Sequence, residues 1–303
     1  MQGPIICYGE VLWDLLPSGP LPGGAPMNVA IHLQNFGINT TIISRVGDDK
    51  WGKDILAFIE DKMVDSSTVQ VDPDLYTGTV QVDLSDVMEA KYTIIGPVAW
   101  DNILWDNEAV HSIQDAEGFV YGSLVARTPS SLKMLLNYLD IAELKVFDVN
   151  LRPPHFEKET IDVLMSKANL VKLNEDELNI MSSWYGNFIG EETKMRFLAD
   201  HFQLDLICVT KGAHGAALLY ENQYHVQTGF KVEVADTIGS GDSFLAALIK
   251  KWKENAEAKD MLEYACAVGA LVATYNGANP KIKESEISAL IEQKRVFLKQ
   301  KTE

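Results

Sequence analysis

The stretch Asp236-Thr237-Ile238-Gly239-Ser240-Gly241-Asp242 decides how this chain is read. It joins a short alternating run, Lys231-Val232-Glu233-Val234, to an amphipathic one from Ser243 to Trp252. In the second run Phe244, Leu245, Leu248, Ile249 and Trp252 recur at helical spacing. The stretch therefore reads as a strand-to-helix turn carrying two glycines. Glycine lets backbone amides swing toward one point, and a helix start adds its own amides and the positive end of its dipole. Together these make an anion site of the kind phosphates occupy. Asp242 sits oddly there, because a carboxylate repels phosphate unless its task is to take a proton from the group attacking phosphorus. The plainer reading is that Asp242 complements the dipole of the first turn. The loop alone leaves both open.

Outward from this loop the chain alternates apolar runs with amphipathic ones. Ile5 to Gly9 reads as a buried first strand, followed by a Pro/Gly-rich stretch from Pro17 to Pro26 and a helix from Met27 to Phe36 closed by Gly37. Strands are expected at 40–46, 118–122, 145–150, 170–173 and 206–210, and helices at 51–62, 130–139, 161–168, 175–182 and 193–202. A hairpin follows, 216–220 and 223–227, turning at Glu221-Asn222, and the chain closes with helices near 243–253, 259–275 and 284–299. Between Val69 and Ile95 the rhythm changes to short strand-like runs with no helix, which suggests a small β subdomain. Apolar strands alternating with helices mean a parallel sheet covered on both faces, with ligands beyond the carboxyl ends of its strands.

Composition narrows the function. At 303 residues, 47% hydrophobic and 23% charged, the chain has ordinary globular values and can bury a large α/β core. Its 26 basic and 43 acidic residues give a net charge of −17, which disfavours nucleic acid and anionic membrane surfaces as partners. Cys7, Cys208 and Cys266 lie in apolar runs without metal-ligand spacing and read as reduced, buried thiols. With no leader-like segment at Met1 to Cys7 and no run of membrane-spanning length, a cytoplasmic protein is expected.

Polar clusters fall where strands should end: Asp148-Val149-Asn150-Leu151-Arg152, Lys172-Leu173-Asn174-Glu175-Asp176-Glu177, Thr210-Lys211-Gly212, and Asp236 to Asp242. Each has a bland reading, since Asp and Asn cap helices and Asn174 is well placed to cap one opening at Glu175. All of them meeting at one edge of one sheet is better explained by a site for a phosphorylated ligand.

Four stretches, in order, resemble the ribokinase-like (PfkB) carbohydrate kinases. Gly23-Gly24-Ala25-Pro26-Met27-Asn28-Val29-Ala30, with Gly37 and Val46-Gly47-Asp48-Asp49, is similar to the N-terminal signature of that family. Asn174 to Glu177 is similar to its NxxE motif, Val209 to Gly212 to its nucleotide-side strand end, and Asp236 to Phe244 to its C-terminal signature. The resemblance covers nearly the whole chain. It implies a single three-layer α/β/α domain over residues 1–303 with a mostly parallel central sheet, and a small β lid whose strands are inserted from about 10–22 and 69–100. It implies Asp242 as the base on the acceptor hydroxyl and the amides of Gly239, Ser240 and Gly241 as an anion hole for the phosphoryl group of ATP. Asn174 and Glu177 would hold Mg²⁺ and phosphates, largely through water. Thr210, Gly212, Asn276, Gly277 and Asn279 would flank the nucleotide, and carbonyls near Asp236 and Ile238 would take a monovalent cation, usually potassium. Asp14, Gly24 and Asn28 would grip sugar hydroxyls, and the lid would exclude water and offers a face for a homodimer. Two departures from the family pattern are Ser240, where many relatives carry Ala, and Phe156, which replaces a Trp.

The acceptor is read from Glu10 to Pro17, which is similar to fructokinases and 2-keto-3-deoxygluconate kinases more than to ribokinases. Trp100 is expected over the sugar, and Arg127 and Arg152 as cations for a keto-acid substrate. The expectation is transfer to the 6-hydroxyl of fructose, with the keto-deoxy acid second. A dinucleotide oxidoreductase would need G-x-G-x-x-G after an early strand, where this chain has Gly9-Glu10. A sugar sensor without turnover would have no use for Asp242 beside intact glycines. Neither a P-loop nor HExxH occurs.

Overall fold

The computed structural model describes residues 3–17, 19–83 and 91–302. The chain divides into two compact units, one of Met1–Phe147 with Leu151–Lys167, the other of Asp148–Asn150 with Ala168–Glu303.

The first unit runs β1 (Ile5–Tyr8), β2 (Leu12–Leu16), β3 (Gly19–Gly23), α1 (Ala25–Asn35), β4 (Thr40–Gly47), α2 (Lys50–Asp61), β5 (Val69–Asp72), β6 (Gly78–Asp83) and β7 (Lys91–Ile94). It continues with α3 (Asn107–Gln114), β8 (Gly118–Gly122), α4 (Pro129–Leu139), β9 (Lys145–Asp148) and α5 (Lys158–Lys167). Its main strands lie in the order β9-β8-β1-β4-β5, with β1 parallel to both β4 and β8. All four residues of β1 are buried, as a strand covered on both faces must be. β3, β2, β6 and β7 form a separate four-stranded sheet in which, among the described residues, Leu12 and Val80 are buried together with Leu16 and Ile94 against them.

The second unit runs β10 (Leu170–Asn174), α6 (Glu175–Ser183), α7 (Glu191–Phe202), β11 (Leu206–Thr210), β12 (Ala216–Tyr220), β13 (Gln223–Gln227), α8 (Ser240–Lys253), α9 (Ala258–Val272) and α10 (Glu284–Thr302). β10 and β11 are parallel, and β12 and β13 add to them antiparallel. Glu221 and Asn222 take φ of 49° and 59°, the left-handed pair that a two-residue hairpin turn matching strand twist requires. The apolar face of α8, Phe244, Leu245, Leu248 and Ile249, is buried. The chain is thus a mixed α/β protein with a large, mostly parallel sheet flanked by helices.

Three local expectations differ from what the structure contains. Val69–Asp72 does not join the small sheet. It pairs in parallel with β4, where Asp72 meets Arg45 at 3.0 Å and an isolated bridge between Thr41 and Asp65 has already set the chain alongside. Lys231 to Val234 is no strand. Val234 is 58% exposed, and the amides that follow, Ala235 and Asp236, donate to the Ala273 carbonyl at the end of α9. Alternation there has no neighbouring strand to act on. Helix α3 went unexpected because it buries only Ala109 and Ile113, too few apolar positions to show a period.

Candidate active site

In the second unit the loop of Asp236 to Asp242 is held by its own side chains and by the turn at 276–279. The Asp236 carboxylate accepts the Ile238 amide at 3.0 Å on one oxygen and the Gly277 amide at 3.1 Å on the other. Gly239 caps α8 with φ 75°, and a β-carbon there would stand 2.6 Å from the Cα and the carbonyl oxygen of Ala278. Both the backbone angle and the close approach therefore demand glycine. No side chain caps α8. Its first backbone bond runs from the Ser243 amide to the Gly239 carbonyl at 2.8 Å, and the Ser240 amide donates to Thr237 at a longer 3.2 Å. Asp242 lies in this first turn, half-buried, while Lys250, Lys251 and Lys253 occupy the last, so both helix ends are charge-complemented.

Asn174 and Thr210 stand opposite each other in the register of β10 and β11, so these two clusters do end at one edge. Asn174 caps α6. Its Oδ1 accepts the Glu177 amide and the Glu177 carboxylate accepts the Asn174 amide, both at 2.8 Å. Glu177 is buried and Asn174 exposed. Gly212, exposed, and Gly277, half-buried, take positive φ in their turns, while Asn276 is exposed and Asn279 half-buried. Among the described residues no group of three or more His, Cys, Asp or Glu side chains is placed to hold a metal ion.

The residues expected on the sugar side belong to the first unit. Gly23 has no β-carbon where the Asp14 carboxylate lies; one there would be 2.5 Å from Oδ2. Gly24 caps α1 with φ 117°, and a β-carbon would run into the Glu10 carbonyl. Asn28 is buried in the first turn of α1. Trp100 is 1% exposed, and its indole Nε1 faces the position a β-carbon of Gly78 would occupy. The Arg127 guanidinium stacks on that ring at 4.1 Å from the centroid. It also donates to both oxygens of Asp101, at 2.7 and 2.6 Å, and to the Ile95 carbonyl at 2.9 Å. With its side chain 6% exposed, Arg127 is fully committed inside the protein. Arg152 is the exposed cation of the two, and donates to the Leu151 carbonyl.

Lys172, which the sequence shows only as the first member of a polar cluster, is a buried ion-pair partner. Its ammonium donates to both oxygens of Asp148 at 2.9 and 3.2 Å, with the two side chains 8% and 4% exposed. The available signal was a lysine inside the otherwise apolar run Leu170-Val171-Lys172-Leu173. Burial alone would lower the lysine's pKa, but the carboxylates of Asp148, Glu177 and Asp242 outweigh it and hold it above its ordinary value. The three cysteines are free and buried, and burial pushes their thiols up, Cys266 to about 12.

The profile of the pfkB family carbohydrate kinases matches residues 21–285, and the chain belongs to that family. It is an ATP-dependent sugar kinase. It is 28% identical over 310 residues to fructokinase-2 of Solanum lycopersicum, with 93% of each chain covered. To the fructokinase of Solanum tuberosum it is 28% identical over 316 residues, covering 96% of each. Among solved structures, fructokinase from Vibrio cholerae O395 bound to fructose, ADP and calcium ion matches with a TM-score of 0.82 at 25% identity, over 96% of this chain and 99% of that one. A putative ribokinase II from E. coli in complex with ATP and Mg²⁺ shares the fold, with a TM-score of 0.84 at 21% identity, over 96% of this chain and 99% of that one.

Proposed function

We propose that this kinase transfers the γ-phosphoryl group of ATP to the 6-hydroxyl of D-fructose. The observation that carries the reading is the start of α8, glycine-capped, without a side-chain cap, and with a carboxylate in its first turn. Asp242 takes the proton of the attacking hydroxyl. The amides of Gly239, Ser240 and Gly241 receive the charge that spreads over the equatorial oxygens of the transferring group. Asp14, Gly24 and Asn28 hold sugar hydroxyls, the Asp14 carboxylate occupying room that a side chain at position 23 would take. Thr210, Gly212, Asn276, Gly277 and Asn279 serve the nucleotide.

The Glu177 carboxylate, with one oxygen taken by the Asn174 amide, would hold Mg²⁺ through water, since that ion keeps most of its shell as water and substrate oxygens. Bound there, it would neutralise phosphate charge. Both oxygens of Asp236 already accept amides, so a potassium ion at this loop would rely on backbone carbonyls near Asp236 and Ile238. Trp100 and Arg127 take a supporting part, since they are buried against Gly78 and Ile95 at the ends of β6 and β7. A neutral sugar is favoured over a keto acid because withdrawing Arg127 to a substrate carboxylate would leave the buried Asp101 without its cation, with the Val98 amide still on one oxygen.

The test is a coupled ADP-release screen with ATP and Mg²⁺ against fructose, ribose, 2-keto-3-deoxygluconate, nucleosides and fructose phosphates, with and without potassium. Fructose should give the highest kcat/KM. A higher value for the keto-deoxy acid would overturn the acceptor and move attention to Arg152. No ADP release with any acceptor would leave a sugar-binding sensor. Asp14→Ala should raise KM for the sugar far more than for ATP; equal effects would make Asp14 structural.

A further inference from the structure

We propose that Lys172 is a positioning residue for phosphoryl transfer: its ammonium, wedged between the Asp148 carboxylate and Gly241, fixes the first turn of α8 and offsets the carboxylates a triphosphate would otherwise meet. The proposal rests on the kinase reading above and deepens it.

Lysine is seldom buried, and stability is a weak reason to keep this one. A buried ion pair can usually be replaced by apolar side chains of similar volume at little cost or with a gain. The surroundings supply a better reason. Gly241 lies inside the first turn of α8 with no left-handed backbone angle, a position where alanine would favour the helix. A β-carbon there would stand 3.1 Å from Lys172 Nζ and 3.9 Å from its Cε. Gly239, two residues earlier, is required by its own φ of 75° and by Ala278. At Gly241 a side chain would instead push the ammonium aside by a few tenths of an ångström, which matters only if the position of that ammonium matters.

The charges point the same way. Besides Asp148, the carboxylates of Glu177 and Asp242 act on this ammonium, so one buried cation serves three anions. Remove it and a triphosphate arriving at the first turn of α8 meets those anions uncompensated. Asp148 in turn holds the ammonium by both oxygens, and the Val149 amide donates to the Lys172 carbonyl at 2.9 Å, tying the two strand ends together. Lys172 acts through the loop and through Asp242, which is why it is a positioning residue.

Lys172→Met alone would leave the buried Asp148 carboxylate without its cation, a change that can cost the fold itself, so the decisive variant is Lys172→Met with Asp148→Asn, which removes both charges at nearly constant volume. It should keep its melting temperature within a few degrees of wild type. Its kcat with fructose should fall about 100-fold while KM for fructose stays within about threefold, the mark of a loss in transition-state alignment. Calorimetry, which needs no acceptor, should show the MgATP dissociation constant rising about tenfold, one lost charge contact. Propylammonium should restore part of the kcat of Lys172→Ala, and tetramethylammonium, which donates no hydrogen bond, should not. A double variant with kcat and MgATP binding both within threefold of wild type overturns the proposal. So does a loss of kcat that tracks a fallen melting temperature and is not rescued by propylammonium. Wild-type turnover tests the kinase reading by itself. Its absence would sink that reading, while the calorimetric ratio would still judge the lysine.

Discussion

Helices α6 and α8 start in the same unit and are built in opposite ways. At α6 the chain satisfies itself: Asn174 and Glu177 exchange side-chain and backbone hydrogen bonds across the first turn. At α8 a glycine stands in the cap position, no side chain closes the turn, and the neighbouring backbone of Ala278 occupies the space a side chain would need. Helix α1 repeats the second design at Gly24, crowded by the Glu10 backbone. Helix α7 shows that a glycine start alone means little. Gly190 also lacks a side-chain cap, but its nearest neighbour is Thr193 Oγ1 at 4.0 Å, so nothing presses on it. What separates the starts assigned to the sugar and to the transferring phosphoryl group is glycine together with close backbone approach. A self-capped start closes its first turn with its own side chains, whereas at α8 no side chain caps the turn and the Ser240 amide makes only a long bond to the Thr237 carbonyl.

The largest effect should come from α8. Asp242→Asn keeps the shape of the turn and removes the base, so kcat should fall on the order of 10²–10⁴-fold with ATP binding unchanged. Full turnover in that variant would reduce Asp242 to a dipole partner and erase the contrast with α6. Next come the glycines. Gly190→Ala bears only the cost of an unfavourable backbone angle, about 1–3 kcal/mol. Gly239→Ala adds the clash with Ala278 and should exceed it, as read from denaturant midpoints of the two variants. Equal losses would mean that the crowding at Gly239 relaxes without penalty. The smallest effect belongs to α6, where Asn174→Ala should cost about 1 kcal/mol, the usual worth of a cap, with Asn174→Ser recovering most of it. If KM for ATP stays unchanged in Asn174→Ala, the residue is a cap and nothing more, and the two helix starts divide structure from chemistry cleanly.

Much of the fold could be read from the chain because its signals are local. The run Leu206 to Thr210 is apolar throughout and is a strand over those same residues, and the Glu221-Asn222 turn lies where the alternation breaks. Readings failed where the deciding partner is distant. Lys231 to Val234 alternates correctly but has no strand beside it, and Val69 to Asp72 was claimed by β4, far away in sequence. The candidate site follows the same rule. Glycines at 23, 24, 239 and 241 are visible as letters, but their reasons differ: a carboxylate, a carbonyl, a backbone turn and an ammonium. Arg127 shows the converse. Its charge suggested a ligand, and its partner turned out to be Asp101, which no spacing in the sequence links to it.

The three buried thiols have a practical consequence. With Cys7 and Cys208 fully enclosed, Cys266 nearly so, and all three held protonated, the native chain should be silent to thiol reagents. One cysteine introduced at the exposed Gln81 of β6 would then be the sole attachment point for a fluorophore. The folded protein thus comes ready for single-site labelling of its small sheet, with no native residue to be removed first.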